Sequence, residues 1–502
     1  MKFAQSASMF KSFLKRDRGL CQPDACSEGR SDFELKVGVL ICPWANTPVP
    51  WYSITLALLL RRRGLHPYLI WDDLSFEQNA ALVKHQNIII SEVLDIMKTV
   101  GFDVVRLSDS SPVCLSPEEE ALANESALLN AQWIRTTSLP GDDLEYVRKH
   151  CYAMLSAGAP RIAGFLNTPP STSFLIPGGV YRYSGLFLGM AVRRKFDVST
   201  YDSGSISMAV GRNHVAARFR DLPETFGRVA AQSPEVRSLV FNKAKAEFHK
   251  RLAGKDKYQY QQAKSGCGSL LAGPHDVFIP LNIETDATAL GLSRFFETSW
   301  DWLVETLDFL LQHTAARVAV RQHPYEAKKP GDRTLFTKRL VELFPSERLT
   351  VYSCYDRVNS YDILGSARVV LPYVSSMGIE AAMLGKEVIM ESRVYYAGMP
   401  FAPQATSKED YFERIACALD GCPFNPLTED IEAAWLVYYL SAVCGRIWTD
   451  FTPQPGNFER WSQLSLDSLE ADETIQQVLE ALSGGRSVTT IQHEKFLLNV
   501  TK

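Results

Sequence analysis

Short apolar runs separated by amphipathic stretches recur along this chain, and their spacing alternates between strand and helix periods. Val37–Cys42 is an apolar run of strand length, and order begins at Lys36. Tyr52–Arg63 carries apolar residues at helical intervals until Gly64 ends it, and Tyr68–Trp71 is a second short run closing on Asp72-Asp73. Strand, helix and strand at this spacing predict a parallel βαβ unit. The pattern returns with Phe174–Ile176 as strand, Gly178-Gly179 as turn, Tyr183–Arg194 as helix and Val198–Tyr201 as strand. Long helical stretches are predicted between the two units, one of them acidic at Glu118–Glu120.

The second half alternates with fewer interruptions. Val277–Pro280 is a strand, and Phe296, Trp300, Leu303, Leu307 and Leu310 then follow in steps of four and three, the mark of a helix packed on a sheet. Next come Ala316–Arg321 (strand), Leu335–Phe344 (helix), Leu349–Tyr352 (strand) and Tyr361–Gly365 (short helix). Val369–Val374 (strand), Gly378–Leu384 (helix) and Glu387–Met390 (strand) complete the series. Such alternation predicts an open parallel sheet covered on both faces. The expected fold class is therefore α/β: two Rossmann-like parallel-sheet domains facing a cleft, with a helical C-terminal tail. The expected divisions are a flexible tail over 1–35, a first domain with helical insertions over 36–265, a second domain over 266–425 and C-terminal helices over 426–502. Residues 20–34 are polar and turn-rich and read as a linker, and the charged helical stretch 234–264 leads out of the first domain.

A chain of 502 residues is too long for one core and comfortable for two. Its 46% hydrophobic and 22% charged residues describe a folded globular protein, and a net charge of −4 gives no footing for a nucleic-acid partner. The ten cysteines form no C-x-x-C pair, Cys21 and Cys26, like Cys417 and Cys422, being separated by four residues. Reduced, buried thiols in a cytoplasmic protein are the expectation. No apolar stretch is long enough for a bilayer, since Ile54–Leu60 runs into Arg61-Arg62-Arg63. The N-terminus sets Phe3, Phe10, Phe13 and Leu14 among Lys11, Lys15, Arg16 and Arg18. Without an uninterrupted apolar core or a cleavage site it reads as a frayed tail rather than a signal peptide. A helix lying on the inner face of the plasma membrane, giving peripheral association, is the alternative.

Ligands of open α/β sheets sit at the carboxyl ends of strands, which directs attention to three segments of the second half. Arg321-Gln322-His323-Pro324 follows one strand; the proline fixes the backbone before it, so His323 is set to donate to a phosphate or ribose oxygen with Arg321 adding charge. Ser375-Ser376-Met377-Gly378 precedes a helix, where hydroxyls and free backbone N–H groups favour an anion. Ordinary N-capping by Ser376, with Glu380 in the first turn, is the bland reading, though Glu380 equally suits ribose or sugar hydroxyls. Third, Pro280-Leu281-Asn282-Ile283-Glu284-Thr285-Asp286 offers Glu284 and Asp286 for sugar hydroxyls or catalysis, against a plain surface loop. Two look-alikes fail. Gly378 to Gly385-Lys386 lacks the P-loop spacing and its Ser/Thr, and Ser376 lies outside any G-x-S-x-G elbow.

His323-Pro324, Tyr361-Asp362-Ile363-Leu364 ahead of a strand, and SSMGIEAAMLGKEVIM over Ser375–Met390 together resemble the nucleotide-binding half of GT-B glycosyltransferases. In particular they resemble the bacterial capsular-polysaccharide biosynthesis family that includes Kdo transferases. The His-Pro and Ser-Ser signatures are shared with bacterial GT-B sialyltransferases, which use CMP-sugars. Tyr396–Ala402 with Ser407–Tyr411 and the PLNIETD segment also resemble that family, with Asn282 standing where it has glutamine. The resemblance spans about residues 275–425; the N-terminal half matches in architecture alone.

The resemblance implies that His323, Pro324, Ser375, Ser376 and Gly378 hold the donor nucleotide and its phosphate and that Asp286 faces the anomeric carbon. An acid of the first half would act on the acceptor hydroxyl, Asp202 in Tyr201-Asp202-Ser203-Gly204 ahead of Asp72 and Asp73. It implies a glycosyltransferase moving a sugar, Kdo or a related acidic sugar from a CMP donor, to a glycan or glycolipid acceptor in surface polysaccharide biosynthesis. No cofactor and no metal are expected, since no D-x-D motif lies near a strand end. A non-hydrolysing nucleotide-sugar 2-epimerase, a non-catalytic scaffold of the same fold and a teichoic-acid-type polyol-phosphate transferase are the alternatives.

Overall fold

The computed structural model describes residues 3–16, 36–44, 47–74, 80–137, 139–257, 273–329, 331–420, 424–483 and 485–500. In chain order the strands are β1 (Lys36–Ile41), β2 (His66–Trp71), β3 (Val104–Arg106), β4 (Ser173–Pro177), β5 (Asp197–Ser203) and β6 (Ser207–Arg212). They continue with β7 (Val277–Pro280), β8 (Val318–Arg321), β9 (Leu349–Tyr352), β10 (Val369–Val370), β11 (Glu387–Val388) and β12 (Ile447–Trp448). Two compact units result. One comprises Met1–Ala131, Glu145–Asp221 and Cys444–Lys502, the other Gln132–Leu144 and Leu222–Val443.

The first unit is built on a seven-stranded sheet ordered β12-β6-β5-β4-β1-β2-β3. Strands β1 to β5 run parallel, and β6 and β12 close one edge in antiparallel fashion. The helix Val49–Arg62, wrapped between β1 and β2, is buried at every position from Val49 to Leu60, so it is apolar all round because it is covered all round. Gly64, at φ +82°, ends it and turns the chain into β2.

The second unit holds a five-stranded, wholly parallel sheet ordered β11-β10-β7-β8-β9. The chain steps from β7 to β8 to β9 in one direction, then returns to place β10 and β11 on the other side of β7. That reversal puts a topological switch point between β7 and β10. In the first sheet the corresponding reversal lies between β1 and β4. Both units are thus Rossmann-like α/β layers, the fold class the alternating pattern predicted.

The structure departs from the expected organisation in four places. Phe3–Arg16 is a helix rather than a frayed tail: Phe3, Phe10, Phe13 and Leu14 lie on one face and are buried. Phe3 and Phe10 stack on Trp51 at 5.4 and 5.5 Å, and Phe13 meets Trp461 edge-on at 6.2 Å. The tail had no partner in the sequence pattern because its partners are 35 residues and more away. The helix Pro234–Leu252 belongs to the second unit, where Phe248 packs on Trp435, Tyr438 and Tyr361 at 5.6, 5.6 and 5.9 Å, so the division falls at Asp221 and not at 265. From Cys444 the C-terminal segment returns to the first unit, supplying β12 and the helix Glu473–Ser483, which buries Ile475, Val478 and Leu479. Asp202 stands inside β5, paired across to Ala209 of β6, instead of at an open strand exit. The expected linker at 20–34, with Cys21 and Cys26, and Cys422 lie outside the described residues. Cys42, Cys151, Cys354 and Cys444 are buried, while Cys114 and Cys417 are exposed. Among the described residues no helix is long and apolar enough to cross a membrane.

Candidate functional site

The switch point of the second sheet is tied together by one amide. Asn282, two residues beyond β7, accepts the Val374 N–H at 3.2 Å and so joins the segments leaving β7 and β10. Past Val374 the chain enters the seven-residue helix Met377–Met383. Its leading amides are occupied. Met377 N–H donates to Ser375 Oγ at 3.3 Å, Gly378 N–H to the Ser375 carbonyl at 3.1 Å, and the Ile379 and Glu380 N–H groups to the Ser376 carbonyl at 3.0 and 3.2 Å. The row of free N–H groups expected there is therefore corrected: the tight turn through the two serines consumes them. Ser376 makes no capping bond. Gly378 is required for a different reason from phosphate approach. A Cβ on it would lie 2.4 Å from the Tyr396 hydroxyl and 2.9 Å from Pro372, and Tyr396 donates that hydroxyl to the Ser375 carbonyl.

The positive charge that meets these serines comes from Arg251, at the end of Pro234–Leu252. Its Nη2 lies 3.4 Å from Ser376 Oγ, its Nε 3.1 Å from the Tyr361 hydroxyl and 3.1 Å from Glu380 Oε1. Asp256 stands 3.8 Å from Nη1. Glu380 is completely buried, and besides Arg251 it accepts Tyr361 at 2.6 Å and Ser376 at 3.3 Å. Burial works against the Arg251 cation, but Glu380, Tyr361, Tyr438 and Asp256 outweigh it and hold the guanidinium charged. A carboxylate so engaged is the counter-ion of Arg251 rather than a cap for its own helix.

His323 approaches the same guanidinium from β8. It precedes Pro324, which opens the short turn Pro324–Lys328, and its Nδ1 accepts the Tyr325 N–H at 3.2 Å. An Nδ1 that accepts leaves the proton of a neutral ring on Nε2, so that nitrogen is a donor. Burial, then the Arg251 charge, lowers the ring's pKa to about 4, with Asp286 opposing and Arg321 reinforcing. The imidazole is therefore neutral at physiological pH and stands close to both Arg251 and Asp286.

Asp286 uses Oδ1 to accept the Thr288 N–H and hydroxyl, both at 2.9 Å, in a turn that fixes its carboxylate. Two expected members of the group are placed otherwise. Arg321 turns its guanidinium to the carbonyls of Ser353, Asp356 at 3.1 Å and Val358 at 3.4 Å, and so holds the loop after β9 instead of adding charge to a ligand. Glu284 accepts the Thr137 hydroxyl at 2.9 Å and gives its N–H to Glu326 at 3.0 Å, anchoring the Gln132–Leu144 stretch. Arg251 was missed by sequence reasoning. The signal was the basic last turn His249-Lys250-Arg251 of a helix read as leading out of the first domain.

In the first unit, the carboxyl ends of β1, β2 and β4 carry Cys42, Asp72 and the Gly178-Gly179 turn before Arg182. Asp72 is 3% exposed and its Oδ1 finds no hydrogen-bond partner among the described residues. Burial, aided by Asp73, raises its carboxyl to about 7 against the Leu74 N–H and the Arg182 charge. Asp73 is committed to Ser108, accepting its N–H at 2.9 Å and its hydroxyl at 2.5 Å. Asp202 accepts the Ser203 N–H at 2.8 Å within its hairpin. Of the three acids ranked from sequence, Asp72 has the burial, the unmet acceptor atom and the near-neutral pKa of a proton acceptor.

No protein-family model matches the chain, and no curated protein matches it in sequence. Among solved structures it is similar to the Thermosulfurimonas dismutans KpsC beta Kdo 2,4 transferase, at 16% identity over 60% of this chain and 88% of that one, with a TM-score of 0.36. It is similar to the beta Kdo 2,7 transferase of the same KpsC at 16% identity over 55% and 77%, with a TM-score of 0.32. The UDP-GlcNAc 2-epimerase of Methanocaldococcus jannaschii, in complex with UDP-GlcNAc and UDP, is similar at 10% identity over 81% and 99%, with a TM-score of 0.25. Likeness this distant does not bear on chemistry, which rests on the residues described above.

Proposed function

We propose that this chain is a glycosyltransferase of GT-B type whose second unit holds the phosphate of a nucleotide-sugar donor. The observation that carries the reading is the approach of Arg251 both to the Ser376 hydroxyl beyond β10, at the switch point, and to the His323 ring at the carboxyl end of neighbouring β8. When the bond from sugar to phosphate breaks, negative charge grows on the leaving phosphate. Arg251 meets that charge with a guanidinium, Nε2–H of the neutral His323 donates to a phosphate oxygen, and Ser376 adds a hydroxyl. A cation supplied by the chain takes the part that a divalent ion plays elsewhere, so metal independence belongs to the proposal.

Asp286, which acts electrostatically on His323, is the group proposed to face the anomeric carbon as positive charge develops there. In the first unit Asp72 replaces Asp202 as the group that accepts the proton of the acceptor hydroxyl, because a carboxylate near pKa 7 is matched to that task. The donor proposed is a CMP-sugar carrying Kdo or a related acidic sugar, and the acceptor is a glycan or glycolipid of a surface polysaccharide made in the cytoplasm.

The test measures nucleotide release from CMP-, UDP-, GDP- and CDP-sugars, with and without a glycan acceptor and with EDTA present. Acceptor-dependent release of CMP, unaffected by EDTA, is the expected result. Conversion of UDP-GlcNAc to its 2-epimer without release would assign the site to an epimerase, and no turnover of any donor would leave a scaffold.

A further inference from the structure

Beside the Gly178-Gly179 turn at the carboxyl end of β4, the first unit has a second, partly open cavity of about 380 Å³. Its walls are one face of the helix Pro117–Arg135, the length of the helix Arg182–Arg193, and the segment 213–220 that follows β6. Three arginines line it, Arg193, Arg218 and Arg220, against a single lining acid, Glu125. That excess of positive charge sits in a chain of net charge −4.

His214 supplies a group of opposite character. Its Nδ1 lies 2.9 Å from the Val215 carbonyl, which can only accept, so Nδ1 carries the proton. Nε2 is then a lone-pair acceptor; it is buried, makes no hydrogen bond among the described residues, and has Asp221 Oδ1 3.7 Å away, beyond hydrogen-bond reach. Burial is the main force keeping the ring neutral, with Arg220 and Arg218 reinforcing it and Val215 and Asp221 opposing. A buried acceptor with no donor is costly unless a ligand hydroxyl or a water meets it.

The backbone that presents these groups is held in unusual conformations. Asn213 and Phe219 have φ of +60° and +47°, and Asn213 is secured by accepting the Val198 N–H at 2.8 Å while donating to its carbonyl at 2.7 Å. Left-handed backbone at residues other than glycine is retained where neighbours over-determine it, which is common around ligands. No aromatic ring of Phe, Tyr or Trp lines the cavity, so a stacked nucleobase has no platform there.

Guanidinium groups for an anion and a neutral imidazole acceptor for a hydroxyl specify a ligand carrying both. We infer that this cavity is a binding site for a phosphorylated or carboxylated saccharide, separate from the nucleotide site of the second unit. A volume of about 380 Å³ accommodates one such residue. The assignment stands independently of the reaction proposed above.

Calorimetric titration of the full chain with glucose 6-phosphate and with glucuronate tests it, with glucose and inorganic phosphate as controls. Both acidic sugars should bind at least about tenfold more tightly than glucose, and more tightly than inorganic phosphate, with affinity falling as salt rises. Arg218→Ala/Arg220→Ala should lose at least about tenfold in affinity for the acidic sugars while CMP and UDP titrations stay unchanged. Should the double variant unfold, Arg193→Gln, on an exposed helix face, decides with a loss of several-fold. Equal binding of glucose and glucose 6-phosphate, or full affinity in Arg193→Gln and in a folded double variant, would overturn the assignment. Inorganic phosphate binding as tightly as glucose 6-phosphate would overturn its saccharide part.

Discussion

Replacing Arg251 by methionine keeps most of the side chain's volume and removes its charge. Glu380, completely buried, then loses its ion-pair partner at 3.1 Å while keeping Tyr361 at 2.6 Å and Ser376 at 3.3 Å. Breaking a buried pair from one side costs about 3–5 kcal/mol, because the abandoned charge stays desolvated. Two remaining donors and a partly exposed Arg251 place this case near the lower end, at about 3 kcal/mol. Glu380→Gln in the Arg251→Met background removes the stranded charge, and the double variant should lie within about 1 kcal/mol of the wild type. The coupling between the two positions is then about 2 kcal/mol or more, read from urea unfolding of the four proteins by circular dichroism. Both variants that lack Arg251 should also bind nucleotide about ten- to a hundredfold more weakly, since the double mutant restores stability without restoring the cation. Single-variant costs that add to within about 0.5 kcal/mol would refute the pairing, and nucleotide affinity restored in the double variant would refute the role of Arg251.

Gly378→Ala places a methyl 2.4 Å from the Tyr396 hydroxyl, so it should destabilise by about 1–3 kcal/mol, with Tyr396→Phe recovering part of the loss in thermal unfolding. Asp72 has a carboxyl raised from 3.8 to about 7, so the folded chain retains a proton that the unfolded chain releases. Its contribution to stability is present below about pH 4 and is lost as pH rises to 7, by up to about 4 kcal/mol; Asp72→Asn should flatten that slope in urea unfolding across pH 4–8 and abolish glycosyl transfer. Phe10→Ala, which removes a wholly buried ring stacked on Trp51, should cost about 3–5 kcal/mol, whereas a frayed tail would give a change near zero.

Strands β1, β2, β4 and β5 and the five strands of the second sheet were legible because each is a short apolar run bounded by a turn, and the Gly64 and Gly178-Gly179 signals marked connections in the first sheet; the three-residue β3 was not read. The antiparallel edge was not. β12 is two residues long and pairs with β6 more than 230 positions away, a link that no local period encodes. Helix Phe3–Arg16 has a clear apolar face, yet whether such a face is covered depends on Trp51 and Trp461, which lie far along the chain. In the site, the residues flanking strand exits were found from topology, and His323 with the two serines does gather at one end of the sheet. What topology concealed was the competition for each group: the amides after Ser376 are spent on their own turn, Arg321 on a loop, and Glu284 on Thr137. Arg251 came from a helix that local charge alone assigned to the wrong unit.

Isothermal titration of CMP into the wild-type chain and into His323→Ala, with folding checked by thermal unfolding, tests the central claim most directly. The wild type should bind saturably, and the variant at least about tenfold more weakly at unchanged fold, the loss of one charge-assisted hydrogen bond. Equal affinities, or no binding of CMP, UDP, GDP or CDP by the wild type, would contradict it.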